Sequence, residues 1–109
     1  MSLKHLDSYH FDEAIYDNAE PGVVVFSRES CGVCQGVLPV LEALQREYDG
    51  RVNFYYVDAE KEKNLSRRFS LRGVPQILFF EAGEYRGRLA GLVGKEQVEE
   101  KITQIFEVG

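Results

Sequence analysis

Apolar positions change their period several times along this chain, and each change marks an element. Val23-Val24-Val25-Phe26 is a short unbroken apolar run rich in β-branched residues, the pattern of a buried strand. From Cys34 onward the spacing turns helical, with Val37, Leu38, Leu41, Leu44 and Tyr48 on one face. Asp49-Gly50 ends that helix, and Pro39 inside it removes a hydrogen bond and bends the axis. Val52 to Val57 reads as another buried strand, and Glu60 to Phe69 as a charged helix with Leu65 and Phe69 inward. A loop, Ser70 to Val74, leads into a strand from Pro75 to Phe80, where a proline is tolerated at the first residue. Glu81-Ala82-Gly83-Glu84 is a hairpin-like turn, and Tyr85 to Leu89 pairs back as an edge strand. Arg86 and Arg88 on that edge discourage sheet-to-sheet association. After a loop from Gly91 to Gly94, Lys95 to Phe106 is an amphipathic helix with Val98, Ile102, Ile105 and Phe106 inward. Before the first buried strand, Leu3 to Leu6 predicts a short strand. Asp7 or Ser8 then caps a helix through about Asn18, with Phe11, Ala14 and Ile15 inside, and Glu20-Pro21-Gly22 breaks it.

The alternation of strands and helices predicts parallel strands in the first part of the chain. The last two strands are joined too tightly to be parallel. The expected fold is α/β: a central mixed sheet of about five strands with helices on both faces. The 109 residues suit a single domain, 1–109. Hydrophobic residues make up 44% of the chain, which argues against disorder. A net charge of −5 and the lack of a basic stripe argue against a nucleic-acid partner. Arg67, Arg68 and Arg72 form the longest basic cluster, answered by Glu60 and Glu62. No apolar stretch approaches the length of a membrane span, and the first residues lack a signal-peptide core. The expectation is a cytoplasmic protein with no membrane partner.

Candidate chemistry changes the picture at one turn. The two cysteines, Cys31 and Cys34, are three residues apart where a strand ends and a helix begins. Unpaired N–H groups and the positive end of the dipole at a helix start favour an anion, and a thiolate is an anion. Cys31 is expected at the exposed end and Cys34 shielded one turn in. Cys31 then attacks a substrate disulfide, and Cys34 displaces the product and closes the ring. Gly32 lets a partner's backbone approach, and Val33 adds an uncharged apolar contact. Arg28 favours a Cys31 thiolate, Glu29 opposes it, and with the helix start the Cys31 pKa falls below the free-thiol value near 8.5. A zinc site needs two further ligands, and the chain offers only His5 and His10, so that reading requires a dimer. Two buried, chemically idle cysteines are the other alternative. His5 and His10 read as surface residues, and the aromatic pairs Tyr55-Tyr56 and Phe79-Phe80 as core split between the two sheet faces.

These residues resemble the thioredoxin family over nearly the whole chain. Cys31-Gly32-Val33-Cys34 is similar to its active-site motif, Pro39 to the proline that kinks the active-site helix, and Arg72-Gly73-Val74-Pro75 to the stretch around its cis-proline. Gly83 matches the glycine of the terminal hairpin, and Gly91 a glycine lining the substrate groove. The resemblance implies a thioredoxin fold, a cis Pro75 against the cysteines, and a groove formed by Gly73, Val74, Pro75 and Gly91, with Val74 pairing to an extended substrate segment. It also implies disulfide-containing protein substrates and a thioredoxin-reductase-type electron donor in place of a bound cofactor, and the chain is further expected to hold no metal and to be a monomer. The chain departs from the family at several positions. Ser30 and Ser27 stand where tryptophans are usual, Val25 where a buried aspartate manages the proton of the second cysteine, Tyr56 where that aspartate's lysine partner lies, and Gln76 where threonine is common. With a pKa near 10, Tyr56 is a poor substitute base, leaving Arg28 or a bound water. Cys34, buried without the aspartate, titrates above Cys31. The Gln76 amide is available to substrate or solvent. The function expected is thiol–disulfide oxidoreduction in the reducing direction. The departures keep two alternatives open: a binding or adaptor module with a slow or vestigial redox centre, and a metal-bridged dimer.

Overall fold

The order of apolar runs produces five strands in one sheet, arranged β1-β3-β2-β4-β5. A computed structural model describes residues 3–106. The elements are β1 (Lys4–His5), α1 (Ser8–Asp12) continued by a π-helical segment (Glu13–Asp17), β2 (Gly22–Ser27), α2 (Gly32–Glu47), β3 (Asn53–Asp58), α3 (Lys63–Arg68), β4 (Gln76–Glu81), β5 (Glu84–Ala90) and α4 (Lys95–Phe106). β1 and β2 both run parallel to β3, β4 runs antiparallel to β2, and β5 antiparallel to β4. The mixed sheet expected from the sequence is therefore present.

β2 lies at the centre of the sheet, and every one of its residues is buried. Side chains alternate between faces along a strand, so this run feeds two separate cores. Val23 and Val25 join Leu41, Leu44, Phe79 and Ile102 beneath α2 and α4. Val24 and Phe26 join Phe11, Ile15, Leu65 and Phe80 beneath α1 and α3. The aromatic pairs divide as their alternation demands, with Tyr56 and Phe79 in the first core and Phe80 in the second, against which Tyr55 packs half-buried.

Local chemistry sets the element ends. Asp7 caps α1, its Oδ1 accepting from the His10 N–H at 2.8 Å. Ala82 and Gly83 both adopt positive φ, 54° and 77°, the backbone of a tight turn whose twist matches its flanking strands. Gly50, with φ 83°, follows the end of α2. Two expectations fail here. The helix read from Glu60 to Phe69 is shorter, because the Asp58 carboxylate accepts from the N–H groups of Glu60 and Lys61 and folds that stretch into a turn. The arginine cluster is also not answered by Glu60 and Glu62. Arg68 pairs with Asp12 at 2.7 Å, Glu62 accepts from the Ser8 hydroxyl at 2.8 Å, and Glu60 lies 3.8 Å from Arg28.

Candidate active site

Where β2 ends, a three-residue polar turn hands the chain to α2, and both cysteines sit on that junction. Cys31 occupies the N-cap position of α2, with extended backbone, and its Sγ accepts from the Cys34 N–H at 3.2 Å. A sulfur stands here where a serine or aspartate oxygen usually satisfies an unpaired helix donor. The two cysteines are joined as a disulfide with their Cα atoms 5.3 Å apart. The difference in shielding is in the expected sense but small. Cys31 keeps 8% of its surface, a narrow window, and Cys34 keeps none.

The loop before β4 faces this pair. The Val74-Pro75 peptide bond is cis, and the Val74 carbonyl oxygen lies 3.8 Å from Cys31 Sγ. Gly91, at the far end of β5 and with φ 80°, donates its N–H to the Pro75 carbonyl at 3.1 Å. Gly73 is exposed and Val74 half-buried beside it. The sequence-predicted residues Cys31, Cys34, Val74, Pro75 and Gly91 therefore converge from three separate stretches of chain. Gly32 and Val33 project at the rim, Val33 with 48% of its surface exposed.

A family model for thioredoxin matches residues 2–104. The chain belongs to the thioredoxin family. It is 31% identical over 106 residues to a thioredoxin of Staphylococcus saprophyticus, covering 95% of this chain and 98% of that protein. It is 29% identical over 94 residues to a chloroplastic M-type thioredoxin of Pisum sativum, covering 86% of this chain but 55% of that one. The chain thus spans little more than half the length of the plant relatives it matches. A thioredoxin structure from Fasciola hepatica superposes with a TM-score of 0.85 at 26% identity, covering 94% of this chain and 99% of that one.

The family's usual polar group beneath the second cysteine is missing, and the register shows what fills its place. Val25 is wholly buried and lies opposite Tyr56 on β3. Burial pushes the Tyr56 phenol above its ordinary value, so it stays protonated at neutral pH. His5 stacks on Tyr56 with ring centroids 4.3 Å apart. Ser27 shares Val25's side of β2 by alternation, and its buried hydroxyl acts on the Tyr56 phenol against the upward push of burial.

Several polar residues take roles the sequence did not reveal. Arg28 touches Cys31 through its backbone, its carbonyl accepting the Cys31 N–H at 3.2 Å, while its guanidinium turns to Glu60. Gln76 is half-buried, and its amide already has partners within the chain. Its Nε2 donates to the Gly73 carbonyl at 3.0 Å and its Oε1 accepts from Arg88 at 3.2 Å. Arg88 also donates to the Phe69 carbonyl and to the Tyr85 hydroxyl, so this edge charge pins the loop before β4 onto β5. Leu92 is 68% exposed, and its Cδ1 lies 2.9 Å from where a Cβ on Gly36 would stand. It forms a second apolar rim residue beside the first turns of α2, in a loop the sequence reading left without a role. His10 is held against Asp7, and no group of three or more metal-ligating side chains gathers among the described residues.

Proposed function

We propose that this chain is a thiol–disulfide oxidoreductase that reduces disulfides in other proteins. The observation that carries this is Cys31 at the N-cap of α2, with the Cys34 N–H directed at its sulfur at 3.2 Å. In the reduced protein that N–H and the helix start stabilise a Cys31 thiolate. The thiolate attacks one sulfur of a substrate disulfide, the substrate S–S bond breaks, and a mixed disulfide forms at Cys31. Cys34, as thiolate, attacks the Cys31 sulfur, releases the second substrate thiol and leaves the Cys31–Cys34 disulfide. Two electrons pass to the substrate, and the protons of the two thiols end on its two product thiols.

Gly73, Val74, Pro75 and Gly91 supply the platform. The Val74 backbone pairs with an extended substrate segment and holds its disulfide over Cys31. Gly32 admits the substrate backbone, while Val33 meets its apolar side chains. Dithiol is regenerated by a thioredoxin-reductase-type donor without a cofactor bound to this chain. A compartment that keeps dithiols reduced, such as the cytoplasm, suits this direction. Turbidity from insulin reduction by dithiothreitol tests the reading. Acceleration by the wild type and none by Cys31→Ser is the expected result, and acceleration that survives Cys31→Ser overturns it.

A further inference from the structure

Beside Gly73 and Val74 of the platform, the surface opens into a recess of about 210 Å³ whose walls include Arg28, Glu60, Leu71, Arg72 and Val74. Two of these walls are anchored next to the reacting sulfur. Val74 presents its carbonyl 3.8 Å from Cys31 Sγ, and Arg28 accepts the Cys31 N–H through its own carbonyl. A substrate segment seated on Val74 therefore places a neighbouring side chain at the mouth of this recess.

The chemistry of the recess is distinctive in a chain of net charge −5. Two arginines and one glutamate line it. Arg72 is exposed and makes no side-chain hydrogen bond, ion pair or ring contact among the described residues. Arg28 meets Glu60 only at 3.8 Å, with both side chains about half exposed at 48% and 62%. A pair that loose and that hydrated contributes little, so its arginine is readily shared with an incoming anion. Guanidinium groups bind carboxylates through paired N–H donors, which adds geometry to the charge. Leu71 gives the methylenes of a glutamate an apolar surface.

Building on the proposed reductase activity, we infer that the recess is a specificity subsite for an acidic side chain, a substrate Glu or Asp close to the cysteine under attack. Arg72 supplies the unpartnered charge, Arg28 the second donor, and Glu60 repels substrates that bring another carboxylate to its side. The same groups disfavour a substrate lysine, which meets two like charges.

The test is kcat/KM for reduction of synthetic disulfide peptides that differ only by Glu, Gln or Lys at each of the positions flanking the cysteine. The wild type is expected to prefer Glu over Lys at one of these positions by about fivefold, the scale of one half-exposed ion pair. The preference shrinks in about 0.5 M salt. Arg72→Gln removes most of it while still reducing the Gln peptides. Equal, measurable rates for the Glu and Lys peptides in the wild type overturn the subsite and leave the reductase reading standing. A preference undiminished in Arg72→Gln overturns it as well. No reduction of any peptide overturns the reductase reading and the subsite together.

Discussion

Cys31 is the residue on which the chemistry turns, and its surroundings make a definite claim about its acidity. The Cys34 N–H at 3.2 Å and the start of a sixteen-residue helix both favour the thiolate, while the Arg28 guanidinium lies toward Glu60 at 3.8 Å. Alkylation of the reduced protein by iodoacetamide across pH is expected to show a Cys31 midpoint below about 8.5, the free-thiol value. A midpoint at or above that value contradicts the assignment. The cysteines were legible in the sequence because their identity and spacing are a local signal, whereas the role of Pro75 came only through the resemblance to the thioredoxin family. Gln76 and Arg88 were not legible. The bonds that tie Arg88 to Gln76 and to Phe69 span 12 and 19 residues and join different elements, so no local pattern announces them. Arg28 adds a contact that no side-chain pattern announces, since it meets Cys31 through its backbone carbonyl.

At the scale of elements, the boundaries follow capping chemistry as much as apolar periodicity. The sequence reading placed α4 at its observed ends, because its inward residues are regularly spaced and Gly94 precedes it. It overran α3, because charged residues from Glu60 onward are compatible with a helix until the Asp58 carboxylate claims the N–H groups that a first turn would present. It also missed the π-helical continuation of α1, in which Asn18 N–H reaches back to Glu13. The Asp7 cap is the element-level feature most open to measurement. Backbone and side-chain hydrogen bonds from His10 hold the Asp7 carboxyl below its ordinary value of 3.8. A depressed folded pKa means stability present above 3.8 that is lost as pH falls through the folded value. Urea denaturation of Asp7→Ala is therefore expected to show lower stability than the wild type at neutral pH, with the difference closing in strong acid. A difference that persists unchanged in acid contradicts the cap.

For the whole molecule, one sheet separates two cores, and β2 belongs to both. The strand pattern made the sheet legible, whereas the strand order depended on which parallel partners met, information no single segment holds. Truncations on opposite faces probe this architecture. Leu41→Ala beneath α2 is expected to cost about 2–5 kcal/mol, and Phe11→Ala beneath α1 about 3–5 kcal/mol. Against a typical total of about 5–15 kcal/mol, either loss is large, as chemical denaturation will show. A cost under about 1 kcal/mol at either site contradicts the burial described. The same sheet assembles the candidate site, bringing the β2–α2 junction against the loop before β4. The arrangement leaves a window at Cys31 and closes Cys34 completely, at 8% and 0% exposure. That asymmetry is the central claim, and trapping tests it most directly. Reduced Cys34→Ser and Cys31→Ser proteins are each mixed with a disulfide-containing substrate, and intact mass is measured. The account predicts a stable one-to-one mixed disulfide on Cys31 in Cys34→Ser and none in Cys31→Ser. An adduct of equal yield on Cys34 in Cys31→Ser, or no adduct in Cys34→Ser, would contradict it.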